Sequence, residues 1–343
     1  MLTLAGSSRN MRLLFIGTAI VVVVAGMRAF AEPLSAFLLA ALIAILCAPL
    51  RRWLVGRGVS QGLSLALILL LIISIGVALA AFIAISTNQL IRALPRYQAQ
   101  VQSLEVEITN QIEALGLQQQ TADAIESFDL SSLFPVVSSI LGAVSNSLGN
   151  LLLVFLILIY MLLDAPNIPG RLRAALPEDS RWLDKATLFL ISVQRYMILR
   201  TIFGAIIAII QTILMLIIGV DFALQWGVLS FVTNYIPNIG FVLGVIPPVV
   251  VTLLEKGPLM AVILLVLYSA INNGIESFIA PRFMAEDLGI TSLSIFLSLI
   301  FWTWVLGPSG ALLAVPLTLL VKIMLLDGEE ETKALNALIS ERV

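Results

Sequence analysis

Repeated apolar stretches, each about as long as a membrane is thick, dominate this chain. They lie at about 13–31, 34–50, 61–86, 148–163, 201–219, 222–254, 259–280 and 291–326. A helix needs ~20 mostly apolar residues to cross a hydrocarbon core of ~30 Å. Only 12% of the residues are charged, against about 25% in a soluble domain. The sequence therefore predicts an all-α, polytopic transmembrane helical bundle of about eight spans, surrounded by membrane lipid, and excludes a single soluble core.

The apolar stretches divide the chain into five predicted parts. These are three N-terminal spans (1–86), a small extracytoplasmic helical insert (87–147), the fourth span with a cytoplasmic amphipathic connection (148–200), a core with two broken helices (201–326) and a cytoplasmic tail (327–343). Arg9 and Arg12 precede the first stretch, as in a signal peptide. We expect that helix to be retained, because another apolar stretch follows at once.

Positive charge predicts the orientation of the bundle. The short loop after the second span carries Arg51, Arg52 and Arg57, and Lys and Arg concentrate in short cytoplasmic loops. The insert at 87–147 then lies outside, and both termini are expected in the cytoplasm.

The insert contains a heptad-like apolar seam. Its members are Leu90, Leu94, Tyr97, Val101, Leu104, Ile108, Ile112 and Leu115. The seam fits an amphipathic hairpin folded on itself or on the membrane surface. It fits equally well the assembly of subunits into a homo-oligomer.

Several functions are excluded by what the chain lacks. The 343 residues include no histidine and one cysteine, Cys47, so the usual imidazole base and metal ligands are absent. Gly307-Pro308-Ser309-Gly310 matches the GxSG pattern of rhomboid-like proteases, but those proteases pair the serine with a histidine. The net charge of −2, with no basic run, disfavours nucleic acid as a partner. We therefore predict no enzyme, no catalytic residue, no metal and no cofactor.

Two breaks interrupt the apolar stretches of the core. Residues 222–254 are far longer than one span and contain Asn234-Tyr235-Ile236-Pro237-Asn238-Ile239-Gly240, while Gly307-Pro308-Ser309-Gly310 interrupts 291–326. Irregular backbone inside a bilayer is tolerated where protein buries it or where it lines a water-filled cavity, and paired broken segments point to the solute site of a secondary transporter. Harmless kinks are the alternative. Whether 222–254 is one broken span or a re-entrant hairpin stays open.

Polar residues at and beside these breaks form the candidate solute path. They are Thr233, Asn234, Pro237, Asn238, Gly240, Gly307, Ser309 and Gly310. Amide and hydroxyl groups with few fixed charges suit a small hydroxyl-rich solute.

A separate group of polar residues lies near the end of the seventh span. Asn272 and Glu276 are four residues apart, hence on one helix face, with Asn273 next to Asn272. An acid in an apolar span is a functional candidate by default, so these three residues are the candidate ion or proton site. The alternative is a simple ion pair between Glu276 and Arg282 near the outer interface.

These motifs together resemble a known family, the autoinducer-2 exporter-like (AI-2E) permeases. The resemblance rests on 234–240, on Asn272 and Asn273 followed by Glu276 and Pro281, on Leu288-Gly289-Ile290 and on 306–317. It implies a bacterial inner-membrane protein of seven or eight spans, a homo-oligomer such as a pentamer, and alternating access through the broken helices. Some relatives are linked to export of the quorum-sensing sugar derivative autoinducer-2, others to sodium-proton antiport.

Two departures from the family pattern lie in the breaks. Asn238 replaces the usual aromatic residue, and Gly-Pro-Ser-Gly replaces Gly-Ile-x-Gly. Both could alter specificity.

Three hypotheses follow. The first is a secondary membrane transporter that exports a small polar metabolite such as autoinducer-2. The second is a sodium-proton antiporter that uses Glu276 with Asn272 and Asn273 as an oxygen site. The third is a non-transporting oligomeric membrane scaffold built on the seam of the insert. The absence of a GxxxxGK[ST] pattern argues against an ATP-driven pump.

Overall fold

The structure, a computed structural model, describes residues 9–114, 142, 151–175, 177, 180–237, 239–279 and 289–327. Asn238, Pro281, Arg282, Leu288, most of the insert and the tail after Asp327 lie outside the described residues.

The described residues are helical almost throughout. The α-helices are α1 (Arg9–Ala29), α2 (Ala31–Gly56), α3 (Gln61–Ala114), α4 (Leu151–Asp164), α5 (Ile168–Ala175), α6 (Arg181–Ile218), α7 (Ala223–Thr233), α8 (Gly240–Lys256), α9 (Pro258–Asn273), α10 (Ser292–Leu306) and α11 (Pro308–Val321), and π-helical turns follow α9 (Gly274–Ile279) and α11 (Lys322–Leu326). Five segments are long and apolar enough to cross a membrane: Ala31–Gly56, Gln61–Ser86, Arg181–Ile218, Pro258–Ile279 and Pro308–Leu326. The predicted all-α membrane bundle is confirmed.

The bundle has two ends, which contacts between helix termini define. At the basic end, Arg52 of α2 donates to Gln194 Oε1 of α6 at 3.3 Å, and Lys185 donates to the carbonyl oxygen of Met324 at 3.5 Å. At the far end, α6 stops at Gly219, whose positive φ of 76° closes the helix. The side chain of Glu255, near the end of α8, accepts from the backbone N–H of Asp221 there at 3.2 Å.

Residues 222–256 form an antiparallel helical hairpin, the first hairpin, made of α7 and α8. A Cβ added at Gly240 would lie 1.9 Å from the carbonyl oxygen of Thr233, and one at Gly244 would lie 3.5 Å from the Cα of Ser230. The hairpin starts and finishes at the far end, where Asp221 meets Glu255. The structure therefore gives a hairpin for 222–254 in place of one broken span.

Residues 292–326 form the second hairpin, made of α10 and α11, which starts and finishes at the basic end. A Cβ at Gly310 would lie 1.9 Å from the carbonyl oxygen of Trp302, and one at Gly289 would lie 3.7 Å from Lys322 Nζ. The prediction of a single interrupted span at 291–326 is wrong. Gly307, with φ 69°, reverses the chain before Pro308, and a glycine-proline break gives the same sequence signal for a kink and for a reversal.

The two hairpins enter the bundle from opposite ends and meet beside the middle of α6. Tyr235 and Ile236, at the tip of the first hairpin, pack against a buried cluster that joins α6 to the second hairpin. That cluster includes Val193, Tyr196, Met197, Trp302, Val305 and Leu306. The residues of the two predicted breaks are thereby brought to the same stretch of α6.

Helix α3 continues far beyond its apolar part. Its 54 residues are roughly 80 Å long at ~1.5 Å per residue, and they run unbroken past residue 86. Two members of the predicted seam, Tyr97 and Val101, are buried in one cluster with residues of α6, α7, α8 and α9 of the same chain.

Candidate functional site

An ion pair lies between two apolar helices at the middle of α6. Arg200 Nη1 is 2.8 Å from Glu276 Oε1, and the two side chains are 12% and 28% exposed. Ile275 packs with Phe203 and Ile207 of α6, which aligns the π-helical turn carrying Glu276 with Arg200. Because the charges are mostly withdrawn from solvent, each offsets part of the other's cost of burial.

The predicted group of Asn272, Asn273 and Glu276 is only partly brought together. Asn272 is buried, whereas Asn273 is exposed, so their amides face different surroundings. The partner of Glu276 is Arg200, 76 residues away, and Arg282 lies outside the described residues. The alternative, an ion pair with Arg282, placed Glu276 near the outer interface. Glu276 instead lies towards the basic end, because α9 begins beside the far-end residues Glu255 and Lys256 and runs away from them.

The tip of the first hairpin carries polar groups onto the same part of α6. The hydroxyl groups of Tyr235 and Thr201 are 2.7 Å apart. Asn234 is buried, and its Cβ lies 3.6 Å from the position a Cβ would take at Gly204. The buried Thr233 donates to the carbonyl oxygen of Ser230 at 3.3 Å. The Asn234 side chain therefore packs directly on the Gly204 turn of α6.

Some buried N–H groups near this tip have no hydrogen-bond partner among the described residues. They are Arg200 Nε, Asn234 Nδ2 and Gln211 Nε2, although Gln211 Oε1 accepts from the Ser230 hydroxyl. A buried donor without a partner costs about 1–3 kcal/mol, so such groups are rare in folded proteins and mark strain, water or ligand sites.

The tip of the second hairpin is apolar by comparison. Ser309 is half-buried and Gly310 buried, and Gly310 lies against the Trp302 backbone. The hydroxyl group of Ser35 on α2 donates to the carbonyl oxygen of Leu306 at 3.3 Å, which ties this tip to the N-terminal spans. Of the predicted path residues, Asn234 lies beside Gly204 of α6 and Thr233 faces Gly244 of α8. Pro237 and Gly240 form the turn of the first hairpin, and Gly307, Ser309 and Gly310 form the second tip.

A second charged cluster joins α3 to the mouth of the first hairpin at the far end. Arg96 Nη1 is 3.1 Å from Asp221 Oδ2, and Arg96 Nη2 is 3.9 Å from Glu255 Oε1. The Tyr97 hydroxyl donates to Glu255 Oε1 at 3.0 Å. Glu255 lies just past the predicted span, and burial raises its pKa above the usual value, with a further increase from the Asp221 carboxyl group. Burial and Glu255 likewise raise the pKa of Tyr97.

The sequence reasoning missed this far-end cluster, the pairing of Arg200 with Glu276 and the contact of Gln211 with Ser230. Arg96 and Asp221 are 125 residues apart in the sequence, and Tyr97 and Glu255 are 158 apart, so no periodic pattern indicates these contacts. Glu255-Lys256 at the end of an apolar stretch indicates only that a helix ends there. Within the described part of the chain, no group of three or more His, Cys, Asp or Glu side chains could hold a metal ion.

A helical membrane bundle with two oppositely entering hairpins and a polar centre has the features of a membrane transport protein. Comparison with known proteins agrees. The family model described as "AI-2E family transporter" matches residues 17–330, so the chain belongs to the AI-2E transporter family.

Individual relatives give the same result. The AI-2 transport protein TqsA of Escherichia coli K12 is 32% identical over 306 residues, covering 89% of each chain. The putative transport protein YhhT of the same strain is 29% identical over 314 residues, 92% of this chain and 90% of its own length. A putative transport protein of Haemophilus influenzae is 30% identical over 318 residues, 90% of each chain. All three names describe transport proteins.

Proposed function

We propose that this protein is a secondary transporter that exports a small polar metabolite such as autoinducer-2. The observation that carries the proposal is the polar centre at the tip of the first hairpin, where Asn234, Tyr235 and Thr201 lie beside the Arg200–Glu276 pair. Polar and charged groups between membrane helices are costly to bury, and those that are present commonly mark the pathway of a solute or ion. The likeness to the AI-2 transport protein TqsA supports the choice of solute.

The ion pair favours this proposal over sodium-proton antiport. A carboxylate that carries a proton or a cation must be free to exchange it, whereas Glu276 is bound to Arg200 at 2.8 Å. Asn273, one of the two amides proposed to complete a cation site, is exposed and Asn272 is buried. Antiport would therefore require the pair to open first.

The packing of α3 also favours transport over the scaffold hypothesis. Tyr97 and Val101 are buried against helices of their own chain, so this part of the seam does not form a free face for a partner. The resemblance to the family supports a homo-oligomer such as a pentamer. It also supports a small molecule as the solute, with a cation as the alternative. It equally supports a bacterial inner-membrane location, and the arginines of the loop after the second span support a cytoplasmic position for both termini.

The test is efflux from proteoliposomes that contain the purified full chain. Vesicles are loaded in parallel with labelled autoinducer-2 or with sodium under an imposed proton gradient. Autoinducer-2 efflux above protein-free vesicles, reduced by Asn234→Leu, is the expected result. Sodium-proton exchange that Glu276→Gln abolishes, without autoinducer-2 efflux, would establish the antiporter instead.

A further inference from the structure

The guanidinium group of Arg200 has two different environments. Its Nη1 is 2.8 Å from Glu276 Oε1, whereas its Nε has no hydrogen-bond partner among the described residues. The side chain as a whole is 12% exposed, but this Nε is itself buried away from solvent. The fork of the guanidinium group lets one edge hold a carboxylate while another nitrogen donates elsewhere.

The amide of Asn234 supplies a second donor next to the first. Asn234 is 6% exposed, lies against Gly204, and its Nδ2 also lacks a partner among the described residues. Arg200 and Gly204 are four residues apart on α6 and therefore lie on one face, about 6 Å apart. One buried N–H donor, that of Arg200, thus belongs to this face of α6, and the other, that of Asn234, packs against the next turn of the same face.

The charges at this position cancel. Glu276 neutralises Arg200, and the neighbouring hydroxyl groups of Thr201 and Tyr235 are uncharged. A neutral pair offers no net attraction that would offset the cost of desolvating an anion or a cation, whereas a neutral solute with hydroxyl or carbonyl oxygens could accept hydrogen bonds from both donors without breaking the ion pair.

We propose that Arg200 and Asn234 form the binding site for a neutral, oxygen-rich solute, and that Glu276 is a positioning residue that holds Arg200 and cancels its charge. This inference rests on the proposed transport function and assigns a solute class to its site. Glu276 then sets selectivity by charge and carries no proton.

The test compares two solutes of similar size but different charge in proteoliposomes that contain the full chain. The probes are labelled ribose, which is neutral, and labelled ribonate, its carboxylate counterpart. The wild type is expected to release ribose in preference to ribonate. Arg200→Lys keeps the charge but loses the fork, so the KM for ribose should rise roughly tenfold, the value of one lost charged hydrogen bond, with a smaller change in kcat.

Removing the carboxylate should change the charge selectivity. Glu276→Gln leaves Arg200 uncompensated, so the ribonate-to-ribose ratio is expected to rise about tenfold or more. The double variant R200Q/E276Q removes both charges and should return the ratio towards the wild-type value. A purely structural role for Glu276 would lower both fluxes together and leave the ratio unchanged.

The far-end cluster provides matched controls. Arg96→Lys and Glu255→Gln make the same chemical changes at the other end of the first hairpin, where Arg96 pairs with Asp221 and approaches Glu255. Neither should alter the ratio.

Three results would overturn the inference: no ribose efflux by the wild type, an unchanged ratio in Glu276→Gln, or an equal change in the controls. Autoinducer-2 efflux with an unchanged ratio would remove the inference alone. A changed ratio without autoinducer-2 efflux would remove only the solute named in the proposed function.

Discussion

The first and second hairpins turn alike but are lined differently. In each, a glycine, Gly240 or Gly310, lies against a carbonyl oxygen of the preceding helix, so the two helices approach closely at the tip. The first tip places Asn234 and Tyr235 beside Arg200 and Thr201, whereas the second packs Trp302, Val305 and Leu306 into an apolar cluster. Both hairpins use a glycine to bring their two helices close together at the tip, but only the tip of the first hairpin places polar side chains beside Arg200.

The largest expected effect should be the same in both hairpins. Gly240→Val and Gly310→Val each place a Cβ where only 1.9 Å separates it from a backbone oxygen, which cannot move as a flexible side chain could. We expect each change to destabilise the protein by about 3 kcal/mol or more, measured as the midpoint of thermal unfolding in detergent. Gly26→Val, where no atom lies within 4 Å, is the control. A mild effect in one hairpin alone would show that the two tips do not depend on glycine in the same way.

The next effect should separate the hairpins. Asn234→Leu removes a buried amide beside Gly204 and is expected to reduce solute efflux about tenfold or more, because a lost hydrogen bond to solute costs about 1–2 kcal/mol. Ser309→Ala, at the half-buried second tip, should leave efflux within about twofold. Equal losses in the two variants, measured in proteoliposomes, would assign the solute to both tips.

A smaller effect concerns what holds the second tip in place. Ser35→Ala removes the hydrogen bond from the Ser35 hydroxyl to the carbonyl oxygen of Leu306 and should cost about 1 kcal/mol of stability. Thermal unfolding measures this cost, and Ser298→Ala, which removes a bond within one helix turn, is the comparison. If Ser35→Ala is neutral, α2 does not anchor the second tip.

The smallest effect is a pH dependence at the mouth of the first hairpin. The pKa of Glu255 is raised in the folded protein, above the value of about 4.3 in an unfolded chain. The folded state therefore binds the proton first, and this group stabilises the protein as pH falls from the raised pKa towards about 4.3. Glu255→Gln should flatten the profile of unfolding midpoint against pH in that window, and a profile unchanged by the substitution would contradict the assignment.

Much of the fold could be predicted from the sequence alone. Apolar stretches of span length predicted the helical membrane bundle, and the breaks predicted at Asn234–Gly240 and Gly307–Gly310 lie where the structure has its two hairpin tips. Glycine and proline reveal that a helix is interrupted, but the same residues permit a kink or a reversal, so the hairpins had to come from the antiparallel contacts of Gly240 and Gly310.

The candidate site was harder to predict because its parts are distant in the chain. Asn234 and Glu276 were found as polar residues in apolar surroundings, but the partner of Glu276 lies on α6, 76 residues away, and charge type alone could not distinguish Arg200 from Arg282. The Gln211–Ser230 contact depends on packing between α6 and α7, which no periodic pattern specifies.

The unbroken length of α3 has a mechanical consequence. Tyr97 fastens this helix to the mouth of the first hairpin through Glu255, and the helix continues to Ala114, roughly 25 Å further at ~1.5 Å per residue. A stiff rod held near one point acts as a lever, because its displacement grows with distance from the fulcrum. Small tilts of the hairpin mouth would therefore be amplified at Ala114, so a spectroscopic probe attached there could report motion that is too small to observe at the hairpin itself.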